Sequence, residues 1–267
     1  MDEYPVKVGS MLYTLVDPNK GHEIAYNRWY ERDHYYAGCM IGPWLFAGSR
    51  WVATRELKDL RFPQDDSNLV TQPYDAGSYV AIYWVHKDHH NDHFKWAGGQ
   101  VVELYKEGRG FAERKHAHTV LYWYHGTEYR DPDGVPVELA LDACFDGHIS
   151  VAIDRAAGVA EAQLDEFLAG ALAETMAGSA IAMSSQWKPE QRGGETTSQA
   201  PMDLGSPTGG DSRIMQLMFT ETDVRESWDR IVSYGQRVND SGLATVVYAA
   251  PFHRTKVGTD TYVDEIW

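Results

Sequence analysis

The sequence predicts an α+β chain in which two ferredoxin-like β-α-β-β-α-β repeats form an intramolecular α+β barrel. Three observations lead there. The element order β-α-β-β-α-β occurs twice, with matching elements about 130 residues apart, a spacing that suits a duplicated domain rather than a solenoid. Both halves place a long polar loop between their second and third strands. The strands, such as "VLYWY" and "YVAIYW", are apolar on both faces, so one face needs helices and the other needs a second sheet. The expected units are residues 1–130, which hold the candidate pocket, and residues 135–267, a more degenerate repeat.

The first strand runs from Val6 to Val16, rich in β-branched and aromatic residues and ended by the turn cluster "DPNKG". His22 to Met40 read as helix, and "PWLFAGSRWVATREL" returns as strand. The polar stretch "KDLRFPQDDSNLVTQPYDAGS" leads into the strand "YVAIYWVH". Asp88 is placed to cap a second helix ending near Tyr105, since its carboxylate accepts from the first-turn N–H groups. "HAHTVLYWYHG" is the fourth strand. In the second half "PVELALDACFDG", "SAIAMSSQW", "RIMQLMFT" and "LATVVYAAPF" are the strands. The helices are "GVAEAQLDEFLAGALAETMAG" and "ETDVRESWDRIVSYGQRVNDSG". Lys188 to Ser212, rich in Gly, Ser, Thr, Pro and Gln, is expected to be a mobile loop or lid because it buries little apolar surface.

Composition narrows the function. With 267 residues, 43% hydrophobic and 12% aromatic, the chain supplies a full core. A formal net charge of -15 opposes binding to nucleic acid or to anionic lipid. Cys39 and Cys144 lie far apart, outside any metal-ligand spacing, and read as two small buried thiols. The N-terminus lacks a basic region followed by an apolar one, so no signal peptide is expected; no apolar run reaches membrane-spanning length. A cytoplasmic protein is the expectation, with homo-oligomers left open. Dinucleotide-binding, P-loop, nucleophile-elbow and HExxH motifs are all missing.

The chemistry concentrates in "AYNRWYERDHYYAGCM", residues 25–40. Tyr26, Tyr30 and His34 are four apart and share a helical stripe, which gives a pocket an aromatic wall and a group titrating near neutral pH. Asp33 projects about 100° away around an α-helix, toward solvent or a loop. Tyr26, Asn27, Arg28, Trp29, Tyr30, Glu31 and His34 resemble, in register, the first-helix signature of the dimeric α+β barrel superfamily, in particular its EthD-like branch. Tyr36 stands where that family usually has Pro. The resemblance implies pockets between each sheet and its own helices, where relatives act on small apolar or aromatic molecules. In several relatives a His from this helix region or a neighbouring strand serves as acid or base, and the resemblance implies such a role here. Activities in the superfamily range over isomerisation, polyketide cyclisation, cofactor-free oxygenation and haem chemistry, so fold leaves the reaction open.

The candidate catalytic residues are therefore His34, Tyr30 and Tyr122, with Tyr26, Trp29, Tyr83 and His118 as substrate-binding residues. On the fourth strand His116, His118, Val120, Tyr122 and Tyr124 read as one face, and Thr119, Leu121, Trp123 and His125 as the other. His86 and His90, and His89 and His93, have chelating i,i+4 spacing, but the run equally reads as the polar first turn of a helix, so no metal is assigned. No cofactor is expected, haem included. The second half has neither Trp-Tyr nor His in its first helix and reads as scaffold. The expected function is a cofactor-independent isomerase, cyclase or lyase using His chemistry on a small apolar, cyclic or aromatic metabolite. A cofactor-free monooxygenase of an aromatic or polyketide-like substrate is the first alternative. A non-catalytic small-molecule-binding or stress-related protein is the second.

Overall fold

A computed structural model describes residues 5–192 and 202–267 of the chain. Eight antiparallel strands close into a barrel in the order β1-β3-β2-β8-β5-β7-β6-β4. They are β1 (Val8–Pro18), β2 (Leu45–Val52), β3 (Tyr79–His86), β4 (Arg114–Tyr129), β5 (Gly147–Arg155), β6 (Ile181–Pro189), β7 (Arg213–Thr220) and β8 (Ala244–Arg254). The α-helices are α1 (Glu23–Trp29), α2 (Arg55–Leu60), α3 (His90–Lys106), α4 (Glu161–Met176) and α5 (Trp228–Asp240). Each set of four strands lies in the ferredoxin-like order, with the first and third strands central. The seams between the sets are unequal. β4 pairs with β6 from Tyr122↔Pro189 to Tyr129↔Met183, whereas β2 and β8 meet only at Trp51↔Arg254 and Val52↔His253.

Strands apolar on both faces are explained by this geometry, since one face looks into the barrel and the other toward helices. On β3, Val80, Ile82 and Trp84 belong to the barrel core, while Tyr79, Ala81 and Tyr83 pack under α1 and its continuation. The barrel interior is filled: Trp84 stacks on Trp187 with ring centroids 4.7 Å apart, and Tyr13 Oη lies 2.9 Å from Ser150 Oγ. Closure gives every strand a neighbour on both sides, which an open eight-stranded sheet would not, although the β2/β8 seam is only two residue pairs long.

The structure departs from the sequence expectations at four places. "PVELALDACFDG" is a 3₁₀ turn at Val137–Leu139 followed by loop, and the strand begins at Gly147. The β-branched run "HISVAI" fits a strand better than a segment holding two Asp and a Glu. Cys144 is exposed as a result, whereas Cys39 is buried as expected. "ATREL" leaves the sheet, because Thr54 caps α2 through its hydroxyl, which accepts from Leu57 N at 3.4 Å. Asp88 is not a cap: it sits at φ 70°, and His89 precedes α3 without a side-chain capping bond. The helix His22–Met40 is α only to Trp29; Tyr30–Met40 is π-helical, with i→i+5 bonds such as Ile41 N to Tyr36 O at 3.2 Å.

Part of the loop expected to be a lid, residues 193–201, lies outside the described residues. Its remainder is docked. Thr119 N donates to Leu204 O and Ser206 N to Ala117 O, each at 2.9 Å, so residues 204–206 lie along β4. Gly205 is required there: it has φ +76°, and a Cβ would stand 2.4 Å from Ala117 O. Among the described residues no helix is long and apolar enough to cross a membrane.

Candidate functional site

The switch from α to π winding shapes the site. In a π-helix five residues complete about one turn, so Trp29 and His34 come face to face, with ring centroids 4.6 Å apart and planes 16° from parallel. Tyr30 meets His34 edge-on at 5.2 Å. Gly38, one turn further, leaves the room the imidazole needs, since a Cβ there would lie 2.7 Å from His34 Nδ1.

Other residues of the same stretch anchor it. Arg50, buried beneath the helix, donates from Nη1 to Asn27 Oδ1 at 3.1 Å and pairs with Glu31 at 3.3 Å. Its guanidinium also lies 4.4 Å from the Tyr30 ring centroid, a cation–π contact. Arg28 pairs with Asp260, and Asp33 with Arg109, which places Asp33 outside the pocket as expected. Asn27 and Glu31 thus tie the helix to Arg50 of β2, and Arg28 ties it to Asp260 beyond β8, leaving His34 available.

The cavity beside His34 encloses about 150 Å³ between β1, β4, the π-helical segment and α3. Leu12, Val16, Phe94, Val101, Leu121 and Leu204 give it apolar walls; Tyr26, Tyr30 and Cys39 line the helix side. Thr14, Arg114, His116, Thr119 and Arg192 give it a polar end, and Glu190 lines it near the start of α3, where it bonds His90.

A β-bulge builds that polar end. Leu15 pairs with His118 but Val16 pairs with His116, so Ala117 is an extra residue on β4. Past the bulge the alternation of faces resets, and His116 turns toward the cavity while His118 and Tyr122 stay in the barrel. Arg114 Nε donates to His116 Nε2 at 3.2 Å, which places the ring proton on Nδ1, 2.7 Å from Thr119 Oγ1. Thr119 in turn lies 2.8 Å from Thr14 Oγ1. Among the described residues, no hydrogen bond reaches either ring nitrogen of His34. Burial, followed by the positive charge of Arg114 and by His116, pushes His34 down to about 3; burial and Arg114 push His116 down to about 3. Both imidazoles are neutral at pH 7.

The sequence candidates divide between two faces of the sheet. Tyr26, Tyr30 and His34 share the cavity, and Trp29 backs His34 from behind. Tyr83 stands behind Tyr30, their hydroxyls 2.9 Å apart. Tyr122 and His118 are separated from His34 by the sheet itself: His118 Nε2 bonds Tyr122 Oη at 2.8 Å inside the barrel, and His118 Nδ1 bonds Ser206 Oγ at 2.7 Å. The expectation that they join the His34 pocket is corrected on that ground. Sequence reasoning missed Arg114, His116 and Arg192 as pocket residues. The pair of histidines flanking Ala117 was the available sign, but alternation without a bulge puts both on one face.

The other histidines are used separately. His90 is bound by Glu190 and stacks on Trp123 at 3.9 Å. His93 bonds Pro43 O at 2.7 Å, His89 stacks on Trp44, and His86 bonds Lys87 O. They do not converge on one point. His125, Glu161 and Asp165 do come together, but Lys188 already neutralises Glu161.

No protein-family description and no curated protein matches the sequence. Solved structures do. A candidate chlorite dismutase superposes with a TM-score of 0.54 at 9% identity, over 95% of this chain and 97% of its own. A variant of Rhodococcus jostii RHA1 DypB in complex with haem gives 0.51 at 8% identity, over 97% and 96%. An anthrone oxidase-like protein gives 0.50 at 9% identity, over 95% of each chain. The cavity beside His34 measures about 150 Å³ between the described residues. At these identities the likeness concerns the fold, and the fold of this chain is the eight-stranded α+β barrel that those proteins share.

Proposed function

We propose that this protein is a cofactor-independent enzyme that moves a proton on a small apolar molecule of one or two rings, with His34 as the acid or base. The observation that carries the reading is a neutral imidazole with no described hydrogen-bond partner, half-buried against an apolar cavity, held by Trp29 and Gly38. A histidine kept for structure alone ordinarily satisfies its ring nitrogens, as His118 does. The register with the EthD-like signature supports the same residue.

The substrate would lie along Leu12, Phe94 and Leu121 with its reacting carbon toward His34. Its oxygen would face the cationic end formed by Arg114 and the Thr14–Thr119–His116 chain, which favours an enolate or phenolate over the neutral carbonyl. A base with a pKa near 3 is weak at pH 7. Burial is the larger cause and the charge of Arg114 the next, so negative charge developing on the substrate offsets part of the depression. Isomerisation, cyclisation or elimination would follow from that proton transfer.

The cofactor-free oxygenase begins with the same step and ends with the carbanion reacting with O₂; the anthrone oxidase-like protein that shares the fold motivates keeping it as the second reading. The test is deuterium exchange at the acidic carbon of 2-tetralone, followed by NMR in D₂O, with oxygen uptake monitored. We expect exchange by the wild type and a loss of 10²–10⁴-fold in His34→Ala and His34→Gln. Exchange that survives both substitutions removes the proposal. Oxygen uptake matching substrate consumption selects the oxygenase form.

A further inference from the structure

We infer that the His34 cavity takes a carboxylate: its ligand is an apolar ring system bearing one carboxylate group, received between Arg114 and Arg192. The inference rests on the reading of this cavity as the ligand site and names the chemical class of what enters it.

Two guanidiniums line one end of the cavity, and among the described residues neither is in an ion pair. Arg114 spends Nε on His116 and Nη2 on Tyr105 Oη at 3.2 Å, leaving Nη1 buried without a partner. Among the described residues Arg192 donates to the carbonyl oxygens of Gly205, Thr119 and Leu204, and its Nε is buried without a partner. Carbonyl dipoles satisfy N–H groups but do not cancel a charge. Two such cations at one apolar cavity are costly unless an anion joins them.

Among the described residues the nearby carboxylates form no ion pair with either guanidinium, although the charge of Asp203 acts on Arg192. Glu190 is bound by His90, Asp33 by Arg109, and Asp203 is exposed, where it accepts from Gly205 N at 3.0 Å. In a chain of net charge -15, two arginines at one cavity with no ion pair among the described residues are set against the overall field. Guanidinium matches the planar, two-oxygen geometry of a carboxylate better than a single oxyanion. Leu12, Phe94 and Leu121 then take the apolar body.

The depressed histidines agree with this arrangement, because Arg114 is the largest charge acting on both. A bound carboxylate should therefore raise the pH at which His34 protonates.

The test compares three ligands of one shape by calorimetry: 1-naphthoate, neutral 1-naphthamide and cationic 1-naphthylmethylamine. We expect naphthoate to bind at least 10-fold more tightly than the amide, and the amine to bind least. Arg114→Met and Arg192→Met should each erode that preference, with Arg114→Lys keeping part of it. A ring-proton NMR titration should show His34 protonating at higher pH with naphthoate present. Equal affinity for acid and amide, or preference for the amine, overturns the inference on the wild type alone, whatever the variants do. If 2-tetralone exchange requires His34 while naphthoate and naphthamide bind alike, the carboxylate assignment falls and the proton-transfer reading stands. The opposite pair of results does the reverse.

Discussion

Trp29 stacks flat against His34, centroids 4.6 Å apart, although the two are five residues apart and would lie on different faces of an α-helix. The π-helical winding of Tyr30–Met40 brings them together, and Arg114 completes the layer with its guanidinium 4.6 Å from the Trp29 ring centroid. His34 is therefore clamped in orientation, and this clamp can be tested apart from any substrate.

Gly38→Ala places a Cβ 2.7 Å from His34 Nδ1 and 2.8 Å from Cε1. The imidazole must rotate off Trp29 or the winding must relax. We expect a folded protein with a lower Tm, a changed His34 ring-proton chemical shift and loss of exchange activity. An unchanged shift would show that the ring has more room than the packing allows.

Acid should destabilise the fold earlier than its carboxylates alone predict. His34, His116, His118 and His148 are each pushed down to about 3, chiefly by burial. Their folded values lie below the unfolded value of about 6.5, so the unfolded chain binds these protons first. The stabilisation they give is full above pH 6.5 and is lost progressively as pH falls toward 3. Urea melts between pH 7.5 and 4.5 should show unfolding accompanied by uptake of up to four protons from these histidines. His118→Asn should remove about one of them.

Tyr30 and Tyr83 share one buried hydroxyl contact at 2.9 Å. Tyr30→Phe leaves the Tyr83 hydroxyl short of that partner and should cost about 1–3 kcal/mol. The double Phe variant should cost less than the two single changes added, because no orphan from this pair remains. Additive costs in denaturant melts would mean that the hydroxyls are not coupled.

Trp187→Ala should be among the most damaging changes in the barrel. Trp187 is fully buried, stacks on Trp84 and donates from Nε1 to Ser185 Oγ at 2.9 Å. The cavity left should cost about 3–5 kcal/mol, or roughly 10 °C in Tm at this chain size. Because the indole lies on the barrel side of the sheet, ligand binding beside His34 should change far less than stability does.

Much of this arrangement was legible in the sequence. Seven of the eight strands follow from β-branched, aromatic runs, and apolar character on both faces called for a covering on each side, which closure provides. Tyr26, Tyr30 and His34 reach one cavity, as their spacing in "AYNRWYERDH" suggested. Periodicity is a local property, and a local pattern suffices where the chain winds regularly. Two irregularities decided the rest. The π segment sets Trp29 against His34, and the extra residue Ala117 turns His116 toward the cavity while leaving His118 and Tyr122 in the barrel. A one-residue slip in a strand exchanges its faces. Nothing within "KHAHTVLYWY" specifies that slip; the partner strand β1 on one side and the docked Leu204–Ser206 segment on the other do. Arg192 likewise enters the site from a distant stretch of chain. The sequence by itself determined most of the elements and pointed to the candidate histidine. Which side chains stand opposite that histidine is a matter of register between segments far apart in the chain, and only the tertiary structure decides it.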